Sequence, residues 1–303
     1  MRWIHDPDFL EPCVLVLGMF DGVHLGHRAL LSQGLEIARE KGLPLTVCTF
    51  EPHPMEVLRP DLAPKRLATR GERAGLMAEC GVDVLAEVRF TRSLADREPE
   101  AFLEDMRDRF RPVCVVCGYN FTFGRSGRGD GELLSAWSSA NGIATRVVPA
   151  VCVGGKPVSS TRIRGCLAAG DVSEAARLLG STYGLAGAVQ HGKRQGRTMG
   201  FPTVNVKIPA RKLLPAYGVY ACGVRYRGEQ HPGIVNVGRH PTLPEGAVTA
   251  EAHILDDSPD LYGEPVRVSF LRFMRPEKPF RGKEELAAQI ECDKAEALRF
   301  FGS

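Results

Sequence analysis

Two groups of side chains in this 303-residue chain have the types and spacing to handle phosphate. The first is His24 and His27, in Gly18-Met-Phe20-Asp21-Gly-Val-His24-Leu-Gly26-His27. Three apart in the first turn of a helix, they share a face. Neutral imidazoles each donate an N–H to a phosphate oxygen, and protonated ones add charge. Such donors stabilise the negative charge that builds on a phosphorus under attack. Gly26 lets a phosphate approach the backbone without meeting a Cβ. Half of a zinc site, or two surface histidines, are the alternatives. The second group is Thr203 and Asn205, in Pro202-Thr-Val-Asn205. On a strand these point to one face. A hydroxyl and an amide oxygen side by side suit a hard ion such as Mg²⁺, which keeps most of its waters and borrows ATP oxygens. Glu251, in Thr249-Ala-Glu-Ala-His-Ile254, shares a strand face with His253. A carboxylate near Mg-ATP can accept the proton of an attacking hydroxyl. The plainer readings are a neutral polar pair and a solvated strand glutamate.

Further stretches could complete the two sites. Phe50-Glu-Pro-His53-Pro54 is a stiff loop, either a surface turn or a rigid pocket wall. The loop 118–131 mixes Tyr119, Phe121 and Phe123 with glycines and arginines, which suits a flat ring beside phosphate. Ser159-Ser160-Thr161-Arg162-Ile-Arg164 opens a helix with capping hydroxyls and two guanidiniums. Gly192, Gly196 and Gly200, with Lys193, Arg194 and Arg197, form a basic glycine-rich flap able to cover phosphates. Tyr262 and Arg275 could add a ring and a cation. Gly154-Gly-Lys156 is not a Walker-type loop, because Ala150 and Pro157 occupy its first-glycine and Ser/Thr positions.

These groups need a scaffold. The apolar run Val14–Leu17 reads as a buried parallel strand, broken by Gly18 and Gly22, and a helix follows from His24 to a stop at Gly42. Strands over 43–50, 82–88, 113–117 and 146–153 alternate with helices over 70–80, 99–110 and 132–141. Short helices follow at 165–169 and 171–179. That alternation predicts a doubly wound, mostly parallel α/β sheet over residues 1–180. From 184 to 303 the pattern changes to short strands with Gly and Pro turns (183–190, 218–226, 230–237, 249–254, 266–273), predicting a small antiparallel barrel. A weakly capped helix, 283–300, closes the chain with Leu286, Ile290, Ala297 and Leu298 on its apolar face.

Hydrophobic residues make up 44% and charged residues 25%, and the net charge of +3 does not point to nucleic acid or membrane as a partner. The N-terminus carries acids and proline where a secretion signal needs an apolar core, so a cytoplasmic location is expected. Nine cysteines are scattered, most in apolar runs, as reduced thiols would be. Cys114 and Cys117 lie three apart on a strand, so they face opposite ways and cannot share a metal.

The Gly18–His27 run resembles the signature of the nucleotidyltransferases that activate ATP or CTP at the α-phosphate. With Phe50–Pro54, loop 118–131 and Ser159–Arg164 in that order, residues 13–180 are similar to the FMN adenylyltransferase module of bacterial bifunctional riboflavin kinase/FAD synthetases. Asn120 stands where many members have Asp. The run from Gly192 to Asn205, then Val235-Asn-Val-Gly-x-x-Pro-Thr242, Glu-x-His-x-Leu-Asp256 and Asp260-Leu-Tyr-Gly263, is similar to the riboflavin kinase module. Val204 stands where Ala is usual. The resemblance implies ATP, riboflavin, FMN and FAD as substrates and products, with Mg²⁺. It implies His24, His27, Arg162, Arg164 and Glu251 as catalytic groups, with Gly18, Phe20, Asp21, Gly26, Ser159, Ser160 and Thr161 holding the first ATP. His53, Pro54, Asn120, Phe123, Tyr262 and Arg275 would bind flavin. Gly192, Lys193, Gly196, Arg197 and Gly200 would bind the second ATP, and Thr203 and Asn205 the metal. A flavin-sensing regulator, an enzyme with one silent module, and a CTP-dependent transferase are the rival functions.

Overall fold

A computed structural model describes residues 1–190, 201–239, 248–257 and 259–302. The chain forms two compact units, Met1–Ser160 and Thr161–Ser303. The first contains, in order, β1 (Arg2–His5), β2 (Cys13–Leu17), α1 (Leu25–Lys41), β3 (Leu45–Glu51), α2 (Pro54–Leu58), α3 (Arg70–Glu79) and β4 (Val84–Arg89). It continues with α4 (Arg92–Ala95), α5 (Pro99–Phe110), β5 (Pro112–Gly118), α6 (Gly131–Ala140), β6 (Ala144–Val148) and a hairpin of β7 (Cys152–Val153) and β8 (Lys156–Pro157). Six strands form one sheet in the order β1-β4-β3-β2-β5-β6. Every neighbouring pair in it is parallel.

The chain winds from β2 through β3 to β4, then crosses back to β5 and β6. The direction therefore reverses between β2 and β5, and the loops leaving those two strands part at the sheet's carboxyl end. That crevice is where such sheets bind ligands. Both sheet faces are covered, which is why β2 is apolar at every position. Val14 and Val16 pack with Leu30, Leu31, Ala74 and Met77 of α1 and α3. Leu15 and Leu17 pack with Phe102, Met106, Phe110 and Leu134 of α5 and α6. Cys114 belongs to the first cluster and Cys117 to the second, so the two thiols do lie on opposite faces. Helix α1 ends as expected: Gly42 adopts φ 63°, and its N–H bonds to Ala38 O and Arg39 O.

The second unit holds α7 (Ser160–Ala168, beginning at the unit boundary) and α8 (Val172–Leu179). Strands β9 (Gly184–Gln190), β10 (Val204–Val206), β11 (Gly218–Tyr226), β12 (Glu229–Arg239), β13 (Val248–Ile254) and β14 (Pro265–Arg275) follow, then α9 (Lys283–Phe301). The strands close into an antiparallel barrel in the order β10-β13-β12-β11-β14-β9. Ala297 and Ile290 of α9 pack on Val219, Ala221 and Ile234.

Several elements differ from the sequence expectation. Strand β1 was hidden by polar residues, since an edge strand needs little apolar surface. The predicted strand 146–153 is β6, which starts and ends earlier, plus one arm of a hairpin turned by Gly154 (φ 61°) and Gly155 (φ 71°). Helix α7 begins five residues before the predicted start. Leu298, assigned to the apolar face of α9, is 52% exposed. Asp293 is buried there instead, because Arg275 binds its carboxylate at 2.7 and 2.9 Å.

Helix α1 carries His27, and its seat on the sheet depends on Gly34. A Cβ at Gly34 would lie 2.7 Å from Val16 Cγ2 and 2.8 Å from Leu45 Cδ1. Gly34→Val should therefore lower unfolding free energy by about 1–3 kcal/mol through overpacking. An unchanged urea midpoint would show that the helix does not pack this closely.

Candidate active sites

At the end of β2 the chain makes a tight turn through left-handed residues: Phe20 (φ 52°), Gly22 (φ 82°) and Val23 (φ 43°). Such a backbone is costly for Phe and more so for β-branched Val. Surrounding contacts hold it. Phe20 is fully buried. The Thr49 hydroxyl donates to Met19 O at 3.2 Å. Buried Asp21 accepts the backbone N–H of Leu67 at 2.9 Å and of Ala68 at 3.1 Å. The Ser160 hydroxyl donates to Asp21 O at 3.2 Å. The Asp21 carboxylate is thus a fastener between the turn and the segment at 67–68. A Cβ on Gly18 would lie 3.0 Å from the Phe20 ring.

The turn delivers His24 to the N-cap of α1. Its Nδ1 accepts the backbone N–H of His27 at 3.3 Å. A neutral His24 therefore carries its proton on Nε2. The His27 ring stacks on it, with centroids 3.6 Å apart and planes 13° apart, and tilts against Phe20 at 5.1 Å. His27 Nδ1 is buried and has no hydrogen-bond partner among the described residues. Burial chiefly, and His24 beside it, hold the His27 pKa well below 6.5. The His27 ring is therefore neutral in the free protein near pH 7. A phosphate at this helix N-terminus would favour protonation, and no acidic side chain in the first turn competes with it. Gly26 has a second use besides the open backbone: a Cβ there would lie 3.1 Å from His24 Cε1.

Beyond β3, His53 caps α2 by accepting the Met55 N–H at 3.1 Å, and Pro54 is the first helical residue. The expected loop is thus a cap and a short helix. Arg66 clamps it from outside: Nε donates to Glu56 at 2.8 Å and one terminal nitrogen to Glu51 at 3.2 Å. The other Glu51 oxygen accepts from Arg73 at 3.1 Å. After β5, Asn120 is exposed, whereas Phe123 is only 6% exposed and stacks on Phe102 and Phe121. The ring expected to meet a flavin is therefore a core residue. Exposed Tyr119 leads the same loop. Two arginines of this loop, Arg125 and Arg128, pair with Glu98.

Arg162 and Arg164 lie inside α7, not ahead of it. Residues two apart on a helix do not face each other. Arg162 binds Glu174 of α8 at 2.8 Å. Ser159 precedes the helix, and Ser160 and Thr161 are its first residues.

In the barrel, cross-strand register assembles the second site. Asn205 of β10 lies opposite Glu251 of β13, and Glu251 lies opposite Asn236 of β12. Opposed residues of antiparallel strands project from one face. Their neighbours Val204, Ala252 and Val235 are buried on the other. Asn236 was not singled out from the sequence; an amide inside Ile234-Val-Asn-Val237 was the available signal. Thr203 stands just before β10. His253 holds that approach: its Nδ1 bonds to Pro202 O at 2.8 Å and its ring meets Phe201 at 5.8 Å. Because a carbonyl only accepts, the His253 proton is on Nδ1, and burial lowers its pKa below 6.5. Tyr262 lies in a turn that bridges to β9. Arg275, the expected flavin cation, is paired with Asp293. Gly192, Lys193, Gly196, Arg197 and Gly200 lie outside the described residues.

Thr203 and Asn205 offer oxygens only. Among the described residues, no three His, Cys, Asp or Glu side chains gather to hold a metal. The donors at 203–205 are too few for a resident cage and fit an ion that arrives with the phosphates of a nucleotide.

A family model described as FAD synthetase matches residues 6–162, and one described as riboflavin kinase matches residues 179–301. The bifunctional riboflavin kinase/FMN adenylyltransferase of Listeria monocytogenes is 38% identical over 292 residues, covering 95% of this chain and 92% of the relative. The enzyme of the same description from Escherichia coli K12 is 40% identical over 294 residues, covering 96% and 94%. A crystal structure described as a macrolide-efflux protein from Streptococcus pneumoniae matches with a TM-score of 0.87 at 30% identity, covering 97% of this chain and 98% of that one. Among the described residues of this chain, no helix is long and apolar enough to cross a membrane.

Desolvation of the His27 ring makes stability depend on pH. Its folded pKa is lower than its unfolded value near 6.5, so in the window below that value the unfolded state binds more protons. The stability contributed by neutral His27 is complete above pH 6.5 and is lost as pH falls through the folded pKa. His27→Gln should flatten the acid side of a plot of urea midpoint against pH. Superimposable acid limbs for the two proteins would contradict the burial of a neutral ring.

Proposed function

The chain belongs to the family of bifunctional riboflavin kinases/FMN adenylyltransferases, and on that premise we propose how its residues divide the two reactions. The enzyme phosphorylates riboflavin with ATP to give FMN. It then transfers AMP from ATP to FMN, giving FAD and pyrophosphate. We assign the first reaction to residues 184–303 and the second to residues 1–180. The observation that supports this division is that each compact unit brings together its own candidate set: stacked His24 and His27 in one, opposed Asn205 and Glu251 in the other.

In the kinase reaction, Glu251 accepts the proton of the terminal ribityl hydroxyl as its oxygen attacks the γ-phosphorus. The bond to ADP breaks, and ADP leaves. Asn236 and Asn205 flank the carboxylate and keep it directed at the hydroxyl. Thr203 and Asn205 would hold Mg²⁺, which neutralises phosphate charge when bound. In the adenylyl transfer, an oxygen of the FMN phosphate attacks the α-phosphorus of ATP. Pyrophosphate leaves on the opposite side. His24 and His27 donate N–H bonds to the α- and β-phosphate oxygens and stabilise charge as it develops, with the N-terminus of α1 behind them. Neither step needs a covalent enzyme intermediate; positioning and charge neutralisation suffice. Asp21 serves by holding the turn. His53, Pro54 and Asn120 form the proposed flavin wall, with Phe123 as its core support. Arg162 and Arg164 stay as phosphate ligands on the sequence argument, as does the 192–200 flap for the kinase ATP. Arg275 supports the kinase through α9, and Tyr262 is the ring offered to riboflavin. All nine cysteines are free thiols, which supports a reducing cytoplasm as the location.

Chromatography of flavin products separates the two reactions. His27→Ala should slow FAD formation from FMN by about a hundredfold or more and leave riboflavin phosphorylation intact. Glu251→Gln should abolish FMN formation and leave FAD synthesis from supplied FMN. If either substitution lowers both activities together, the division by unit is wrong.

A further inference from the structure

One half-buried ionic cluster of the first unit is not used by either reaction. Arg66 has an 11% exposed side chain and lies between Glu51 and Glu56. Glu51 is the last residue of β3 and Glu56 lies in the first turn of α2. Arg66 therefore grips both ends of the segment 52–55, which carries His53 and Pro54. The next two residues of the chain, Leu67 and Ala68, donate their N–H groups to Asp21 at 2.9 and 3.1 Å. Asp21 belongs to the turn that ends in His24. One short stretch, 66–68, thus holds the phosphate turn with its backbone and the 52–55 segment with its side chain.

We infer that Arg66 is a positioning residue for adenylyl transfer, setting the acceptor segment 52–55 at a fixed distance from the turn that carries His24. The inference rests on the reading of His53 and Pro54 as part of the flavin wall. A guanidinium suits the task because its planar fork serves two carboxylates at once with fixed geometry. A lysine is a single point charge and cannot span both. The linkage is also separable from folding. Without Arg66, Glu51 keeps its bond to Arg73 at 3.1 Å, and Asp21 keeps both backbone N–H donors. The phosphate turn would stand, and the acceptor segment would lose its setting.

The consequence is asymmetric between the two substrates. A misplaced acceptor lowers the rate steeply: about 1 Å of displacement costs up to roughly a hundredfold. ATP, held by the turn and α1, should be unaffected. The test compares Arg66→Met, Arg66→Lys, Glu56→Gln and the double variant Arg66→Met/Glu56→Gln with the parent full-length protein. FAD formation is measured with FMN and ATP varied in turn, and riboflavin phosphorylation serves as an internal control in the other unit. In Arg66→Met, kcat/KM for FMN should fall by about tenfold to a hundredfold, with KM for ATP and the kinase rate held. Arg66→Lys should recover part of the loss. The double variant should be no worse than Arg66→Met, because both changes break one connection. Glu56→Gln, which spares the pair with Glu51, covers the case in which Arg66→Met fails to fold and should give an intermediate loss for FMN. A rise in KM for ATP matching the effect on FMN would mean general loosening and would overturn the inference. So would an Arg66→Met protein that uses FMN as well as the parent. His53→Ala separates this from the underlying reading. If it impairs FMN use while Arg66→Met does not, the wall stands and the role of Arg66 falls. If Arg66→Met impairs FMN alone and His53→Ala changes nothing, Arg66 stands and His53 leaves the wall.

Discussion

Two imidazoles face to face at 3.6 Å cannot both be charged in a buried place without an anion beside them. The adenylyltransferase unit depends on that constraint. It keeps the His27 ring neutral in the free protein, so that ring is a donor and not a permanent counter-charge. It also fixes where the two rings must stand: one as the cap of α1, the other one turn on. The left-handed turn at 20–23, the glycine at 26 and the fastening of Asp21 to the 67–68 segment are the means of meeting it. Each would be a liability in an ordinary βα loop. Here they place two imidazoles and a helix N-terminus at the switch point of the sheet, where on the proposed reading an incoming phosphate would meet all three.

The barrel solves the same problem differently. Its polar row is set by strand pairing, not by a loop. Asn205, Glu251 and Asn236 come from three strands and share a face because register leaves no alternative. A closed barrel has no free edge at which that register could slip. Such a site suits a carboxylate that must stay put while a hydroxyl loses its proton. The helix-terminus site suits charge that appears and leaves with the substrate. His253 joins the two themes, since a buried imidazole again tethers backbone, here at Pro202 beside Thr203 and Asn205.

Much of this was legible in the sequence. The apolar run of β2, the glycine stop of α1 and the change from helices to short strands after Leu179 are local patterns with one physical reading. The opposite facing of Cys114 and Cys117 followed from strand period alone. Tertiary pairing was less legible. Nothing local says that Arg162 binds Glu174, that Arg275 binds Asp293, or that Phe123 turns inward onto Phe102. Each looked available for a ligand because its partner is distant in the chain or lies on another element. Asn236 was missed for the converse reason: its importance lies in what sits opposite it, and a single strand does not show its neighbours. Asp21 is expected from its motif to help hold nucleotide; that its carboxylate also accepts backbone N–H groups 46 and 47 residues away is something no local pattern shows.

The central claim is that the His27 ring is neutral until phosphate arrives. Side-chain NMR titration of His24 and His27 in the full-length protein, with and without ATP, measures this directly. Without nucleotide, the His27 ring should stay neutral to well below its ordinary pKa of 6.5; with ATP bound, its pKa should rise. A His27 that titrates near 6.5 in the free protein, or whose pKa does not move when ATP binds, would contradict the account.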